Sequence, residues 1–215
     1  MKAESKWRPS ARALNRWAPA VLVLLVCGCR PGQVSRYRLN QLVQRDSKLC
    51  QAQEINGIRV QMRYVPYQLM VAQELGTVVS AGDTAIMGRL ERKYSPQYYF
   101  RLTFSKNKNE VIRQLGSFHQ YSDMLQVLSF ELGNHISAST ETNDTLYLKG
   151  YAYQQDYGMT KENASLLIFA KEDFGKRKEI RIRLGEFGLG IGELTFVFSK
   201  DEMDDLPALD YRQLN

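Results

Sequence analysis

The sequence predicts an α+β or mainly β protein, an antiparallel sheet or sandwich of about six strands with two or three helices packed on it. Three observations carry that class. Apolar and polar residues alternate in IRVQMRYV (58–65), KEIRIRL (178–184) and ELTFVF (193–198), the period of a strand with one buried face. Helical spacing is confined to stretches before Asn134, so helices lie among the early strands and strands cluster late. The connection between the runs 165–170 and 178–184 is too short for a parallel crossover, which takes a dozen or more residues, so these neighbours are expected to be antiparallel.

Taken in order, VSRYRLNQLVQRD (34–46) spaces Val34, Leu39, Leu42 and Val43 loosely as a helix would, and is read as either a helix or part of a tether. The clear fold is expected to begin at Ile55, where Asn56-Gly57 is a strong turn signal ahead of the strand 58–65. Pro66 ends that strand and suits the first position of a helix over 66–75, with Leu69, Met70 and Leu75 on one face. GTVVSAGDT reads as a loop, and Asp83 as the cap of a helix placing Ile86, Leu90 and Tyr94 in line. PQYYFRLTF (96–104) returns to strand, with Tyr98, Phe100, Leu102 and Phe104 on one face. A further helix is expected from about Ser117 to Leu132, with Gly133-Asn134 as its stop signal.

Everything after Asn134 reads as β. TLYLKGYAYQQ (145–155) sets Leu146 and Leu148 against Tyr147, Tyr151 and Tyr153. SLLIFA (165–170) is continuously apolar, as expected of a strand covered on both faces. Ile180, Ile182 and Leu184 are expected to face inward, as are Leu194, Phe196 and Phe198. The tail DEMDDLPALDYRQLN (201–215) is acidic and reads as unstructured or strand edge. No repeat of fixed period appears, so 51–215 is read as a single β-rich domain, 29–50 as a tether or loose helix, and 1–28 as a separate leader.

The charge supports that division. The chain carries +6, but residues 1–28 hold five basic residues and one acidic, a net +4 that leaves only +2 on the remainder. A nucleic-acid partner is not expected on that balance. Within the leader, a basic stretch precedes the nine apolar residues APAVLVLLV, far short of the roughly 20 that span a bilayer. A basic segment, a short apolar segment and small residues describe a secretory signal.

Val26-Cys27-Gly28-Cys29, directly after that apolar segment, resembles the lipobox of bacterial lipoprotein precursors. The resemblance implies cleavage after Gly28 and acylation of Cys29, making it the lipid attachment residue; Cys27 fits poorly as acceptor because bulky Val26 would then flank the cut. Anchoring by acyl chains gains about 0.8 kcal/mol per buried CH2. In enterobacterial lipoproteins an aspartate after the acylated cysteine retains the protein in the inner membrane. Arg30 stands there, which by the same resemblance points to the outer membrane. RPGQVSR lacks the acidic cluster that directs some lipoproteins to the cell surface, so the body is expected to face the periplasm. NGIRVQMRYVP, the tyrosine-rich middle and QDYGMTKENASLLIFAK together resemble uncharacterised lipoproteins of Bacteroidota, a likeness that brings no catalytic residues with it.

Candidate chemistry is sparse. After processing, Cys50 is left as a lone thiol, read as a buried small hydrophobe. The CxC lacks the second ligand pair a zinc site needs, so no metal is expected. GEFGLGIGE (185–193) is glycine-rich, but a strand rather than a helix follows it, so a hairpin turn is expected in place of a dinucleotide site. No cofactor is expected. His119 and His135 have no acid or nucleophile partner along the sequence, the acids of 200–207 lack the pattern of a calcium loop, and Asn143 and Asn163 head glycosylation-type triplets read as chance. Tyr147, Tyr151 and Tyr153 would share one strand face, either as a second packing layer or as a partner surface. The expected role is a non-catalytic, lipid-anchored envelope protein that binds another protein or supports an assembly. The alternatives are a ligand-binding sandwich or barrel, or a hydrolase whose site is assembled in the fold.

Overall fold

The computed structural model describes residues 32–78 and 84–212. The leader motif Val26-Cys27-Gly28-Cys29, Arg30 and the Asp83 cap lie outside the described residues. The described residues open with α1 (Arg36–Arg45), β1 (Cys50–Ile55), β2 (Ile58–Val65), α2 (Tyr67–Val78) and α3 (Thr84–Tyr94). β3 (Gln97–Lys106), β4 (Asn109–Glu110), α4 (Phe118–Gln126), β5 (Ile136–Thr140) and β6 (Thr145–Leu146) follow. β7 (Leu148–Gln154), β8 (Asn163–Ala170), β9 (Glu179–Leu184), β10 (Leu194–Ser199) and the short α5 (Lys200–Asp204) complete it.

The fold is α+β with two antiparallel sheets. One has the strand order β1-β2-β3-β8-β7, with β4 paired to β3; the other has the order β10-β9-β5-β6. Val60, Met62 and Tyr64 of β2 share one core with Ile180 and Ile182 of β9 and Phe196 of β10, because alternate residues of each strand turn to the same side. At its centre the rings of Phe100 and Phe198 lie 4.7 Å apart, one from each sheet. Each large side chain buried here contributes on the order of 1.5–3 kcal/mol. β8 is nearly continuously buried, as its apolar run requires. The turn at Asn56-Gly57 has positive φ at both residues, +52° and +75°, and joins β1 to β2 as a tight hairpin.

Several elements differ from the sequence expectation. β8 and β9, expected to be antiparallel neighbours, do not pair: the short connection between them carries the chain from the larger sheet to the smaller. The stretch 145–155 is divided between the sheets: β6 pairs with β5, whereas β7 pairs with β8, and the chain crosses from one sheet to the other at Tyr147. Of the two readings of 29–50, the helix is found over Arg36–Arg45, and from Val34 onward the segment belongs to the folded body rather than to a tether. Ser35 caps α1 by accepting from the Arg38 N–H at 3.3 Å, and Leu39 and Val43 are wholly buried. The tail is structured too: Met203 of α5 is buried, and Leu209 forms a parallel bridge with Val34. Leu39, Leu209, Tyr211 and Leu90 join Val71 and Leu75 of α2 in a second apolar cluster. That cluster fixes a helical layer containing α1, α2 and α3.

Candidate functional site

The helical layer leaves open a cleft over the outer face of the larger sheet. Since Val60, Met62 and Tyr64 point inward, Arg59, Gln61 and Arg63 must point outward. The pairing register then sets Cys50 of β1, Arg63 of β2 and Arg101 of β3 side by side across three strands. α1 supplies the opposite wall with Arg36, Asn40 and Gln44, one face of the helix at successive four-residue steps.

The cleft has two adjoining compartments that share Arg63 and Arg101. The first, about 520 Å³, is polar and is lined by Gln44, Cys50, Arg59, Gln61, Thr103 and Glu162 besides the shared pair. The second, about 590 Å³, adds an apolar strip of Val65, Leu69, Met70 and Leu166. No interior cavity between the sheets is used by this site; it lies wholly on the outer face.

The arginines are not equivalent. Arg101 is held from two sides, donating to Glu162 at 3.1 Å and to Gln154 at 3.3 Å. Arg59 reaches Gln61 at 3.5 Å, and Gln61 in turn donates to the Cys50 thiol at 2.9 Å. The side chain of Arg63, between them, makes no hydrogen bond or ion pair with any of the described residues. Burial, then the adjacent Arg101 charge, pull its pKa below the ordinary guanidinium value, against the pull of Cys50 and Glu162. Burial pushes the Cys50 thiol up against the pull of Arg63, and so disfavours the thiolate. The outer face of the smaller sheet offers a contrast. Its Arg181 and Arg183 each have an acid of their own, Glu179 at 3.2 Å and Glu193 at 3.3 Å.

The residues singled out from sequence do not meet in this cleft as a group. Tyr147 is exposed at the crossover between sheets. Tyr151 and Tyr153 pack against the main core, where the Tyr153 hydroxyl accepts from Asn163 at 3.1 Å. The three therefore form no common surface: the crossover takes Tyr147 off the strand that carries the other two. Asn163, only 1% exposed, spends its amide on Tyr153 and on the Ile112 N–H, which removes it as a glycosylation acceptor. His119 lies on exposed α4 turned to Asp123 at 3.5 Å, and the His135 ring packs 5.9 Å from Phe187. Cys50 is half-buried at the cleft wall. Among the described residues no group of three or more His, Cys, Asp or Glu could hold a metal ion.

The glycine-rich stretch is the connection between β9 and β10, and its amides already have an acceptor. Glu186 takes N–H groups from Phe187, Gly188 and Gly190 on one carboxylate oxygen, at 3.1, 2.7 and 2.9 Å, and from Gly192 on the other at 2.6 Å. Positive φ at Gly188, Gly190 and Gly192 turns those groups inward. Burial pushes the carboxyl up, but the backbone donors outweigh it and hold Glu186 below its ordinary value.

Sequence reasoning passed over the arginine cleft. Its only signal was the outward set of IRVQMRYV, and which strand that set faces is decided by pairing between segments some forty residues apart. No family model matches the chain, and neither a curated protein nor a solved structure matches it.

Proposed function

We propose that this chain is a non-catalytic binding protein of the bacterial envelope, anchored by lipid on Cys29 at the outer membrane and facing the periplasm. Its recognition site is the arginine-walled cleft, which holds an anionic group of another molecule. The observation that carries this reading is Arg63, a half-buried guanidinium whose side chain has no partner among the described residues, set beside a second arginine in a cleft of ligand size. A partly desolvated cation without an acceptor costs stability, and a bound anion offsets that cost. Binding is favoured over hydrolysis because neither histidine lines the cleft and burial disfavours the thiolate of its one cysteine.

A photo-reactive residue placed at exposed Gln73, on the cleft wall, tests the reading in living cells. Irradiation should give an adduct from Gln73 that disappears with Arg63→Glu, and none from a control position at exposed Lys108. Equal adducts from both positions, or an adduct indifferent to Arg63→Glu, would overturn the cleft as the recognition site.

A further inference from the structure

We infer that the anion is a phosphate monoester, its phosphate seated between Arg63 and Arg101 and its organic part lying along Val65, Leu69, Met70 and Leu166. This deepens the reading above and rests on it.

The first argument is placement. Arg63 and Arg101 are direct cross-strand neighbours on one face of an antiparallel pair. Residues so placed have Cβ atoms about 4.5–5.5 Å apart, and like charges there repel. A tetrahedral oxyanion between two guanidiniums turns that repulsion into paired charge-assisted hydrogen bonds. Glu162 and Gln154 fix Arg101 in advance, leaving the donors of Arg63 for the ligand.

The second argument is charge. In the polar compartment three guanidiniums, Arg59, Arg63 and Arg101, face the single carboxylate of Glu162, an excess of two positive charges. A phosphate monoester carries about −1.5 to −2 at neutral pH and matches that excess. A carboxylate or a sulfate ester brings one charge and leaves half of it unmet.

The third argument is the shape of the cleft. The polar compartment opens directly into one with an apolar strip, and the two share only Arg63 and Arg101. An inorganic ion would use the first alone. A monoester fills both, because its bridging oxygen carries the organic group away from the arginines.

Titration calorimetry on the full chain in detergent micelles, with phenyl phosphate, phenyl sulfate and inorganic phosphate as probes, separates the possibilities. Phenyl phosphate should bind roughly tenfold or more tightly than either of the others, over phenyl sulfate by about one charge-assisted hydrogen bond and over inorganic phosphate by the apolar contact of its ring. Arg63→Gln should abolish that preference. Arg63→Lys, which keeps the charge but loses the fork, should weaken phenyl phosphate while preserving the melting transition, and so separates lost binding from lost fold. Equal affinity for phenyl sulfate or for inorganic phosphate would overturn the monoester assignment and leave the anion reading standing. No binding of any probe would overturn both. Glycerol phosphate and phosphatidate-doped phosphatidylcholine vesicles then distinguish the source. Binding of the soluble ester alone marks a free metabolite or sugar phosphate, and binding of the vesicles marks a lipid headgroup; either supports the assignment.

Discussion

The side-chain amide of Gln51 pairs with the peptide group of Val197 as a neighbouring strand would. Its Nε2 donates to the Val197 carbonyl, and its Oε1 accepts from the Val197 N–H at 3.2 Å. Two residues on, Gln53 Nε2 donates to the Thr195 carbonyl at 3.0 Å. β10 is the edge of the smaller sheet and β1 the edge of the larger, so these two glutamines close the seam between the sheets along an edge that would otherwise be open to pairing.

Gln51→Ala should therefore destabilise the protein by about 1–2 kcal/mol in chemical denaturation, the loss of two partly solvated hydrogen bonds. The double variant with Gln53→Ala frees a longer stretch of β10, which already exposes Val197. Sedimentation velocity should then show concentration-dependent self-association that the single variant lacks. A double variant that stays monomeric would show that the glutamines stabilise the seam without protecting the edge.

How much of this was legible in the sequence depends on the range of the interaction involved. The alternation of 58–65, 178–184 and 193–198 reports one strand's inner and outer faces, and those faces are as expected. The polar CQAQEI of β1 has no such contrast; Gln51 and Gln53 serve the seam, and only the pairing with β2 makes it a strand. The uniform look of 145–155 hid the crossover at Tyr147, because the pattern of one strand does not say which partner it finds. For the same reason the cleft was invisible: Arg63 and Arg101 are ordinary outward residues until the register sets them opposite each other.

The helix α1 gives a second prediction. Leu39 is wholly buried against α2 and the C-terminal segment, so Leu39→Ala should cost about 2–5 kcal/mol. Tyr37→Ala, at an exposed site two residues away, should stay within about 0.5 kcal/mol. A chain starting at Gly32 should unfold cooperatively, whereas one starting at Ser47 lacks α1, uncovers Val71 and Leu75 and should aggregate. A monomeric, cooperative product from Ser47 would show that α1 is an accessory to the fold.

Glu186 predicts a pH dependence. Its folded pKa lies below the ordinary value because backbone N–H groups prefer the charged carboxylate. The sign follows: the stabilisation is fully present above the unfolded pKa of about 4.3 and fades as pH falls through the lower folded value. Glu186→Gln should thus lower the melting temperature at about pH 7, and the gap to the native chain should narrow as pH falls through the folded pKa of Glu186, below which both side chains are neutral. A gap independent of pH would mean that the loop needs the shape of the side chain and not its charge.

The last prediction concerns the anchor. If Cys29 is the acylated residue, Cys29→Ala leaves no thiol for diacylglyceryl transfer, and a precursor of higher apparent mass should accumulate without incorporating labelled fatty acid. Inhibiting lipoprotein signal peptidase should produce the same uncleaved form from the native chain, since that enzyme acts only after the diacylglyceryl group is attached. Cys27→Ala should be processed normally, because alanine is a small residue suited to the position two places before the cut. The nine-residue apolar run is too short to hold the precursor as a spanning helix would, so on the proposed reading the mature protein is attached by its acyl chains. Fractionation of cells, followed by mass measurement of the mature N-terminus, reads all three outcomes. A Cys29→Ala chain that is still cleaved and released into the periplasm would replace the lipoprotein reading with an ordinary secretory signal.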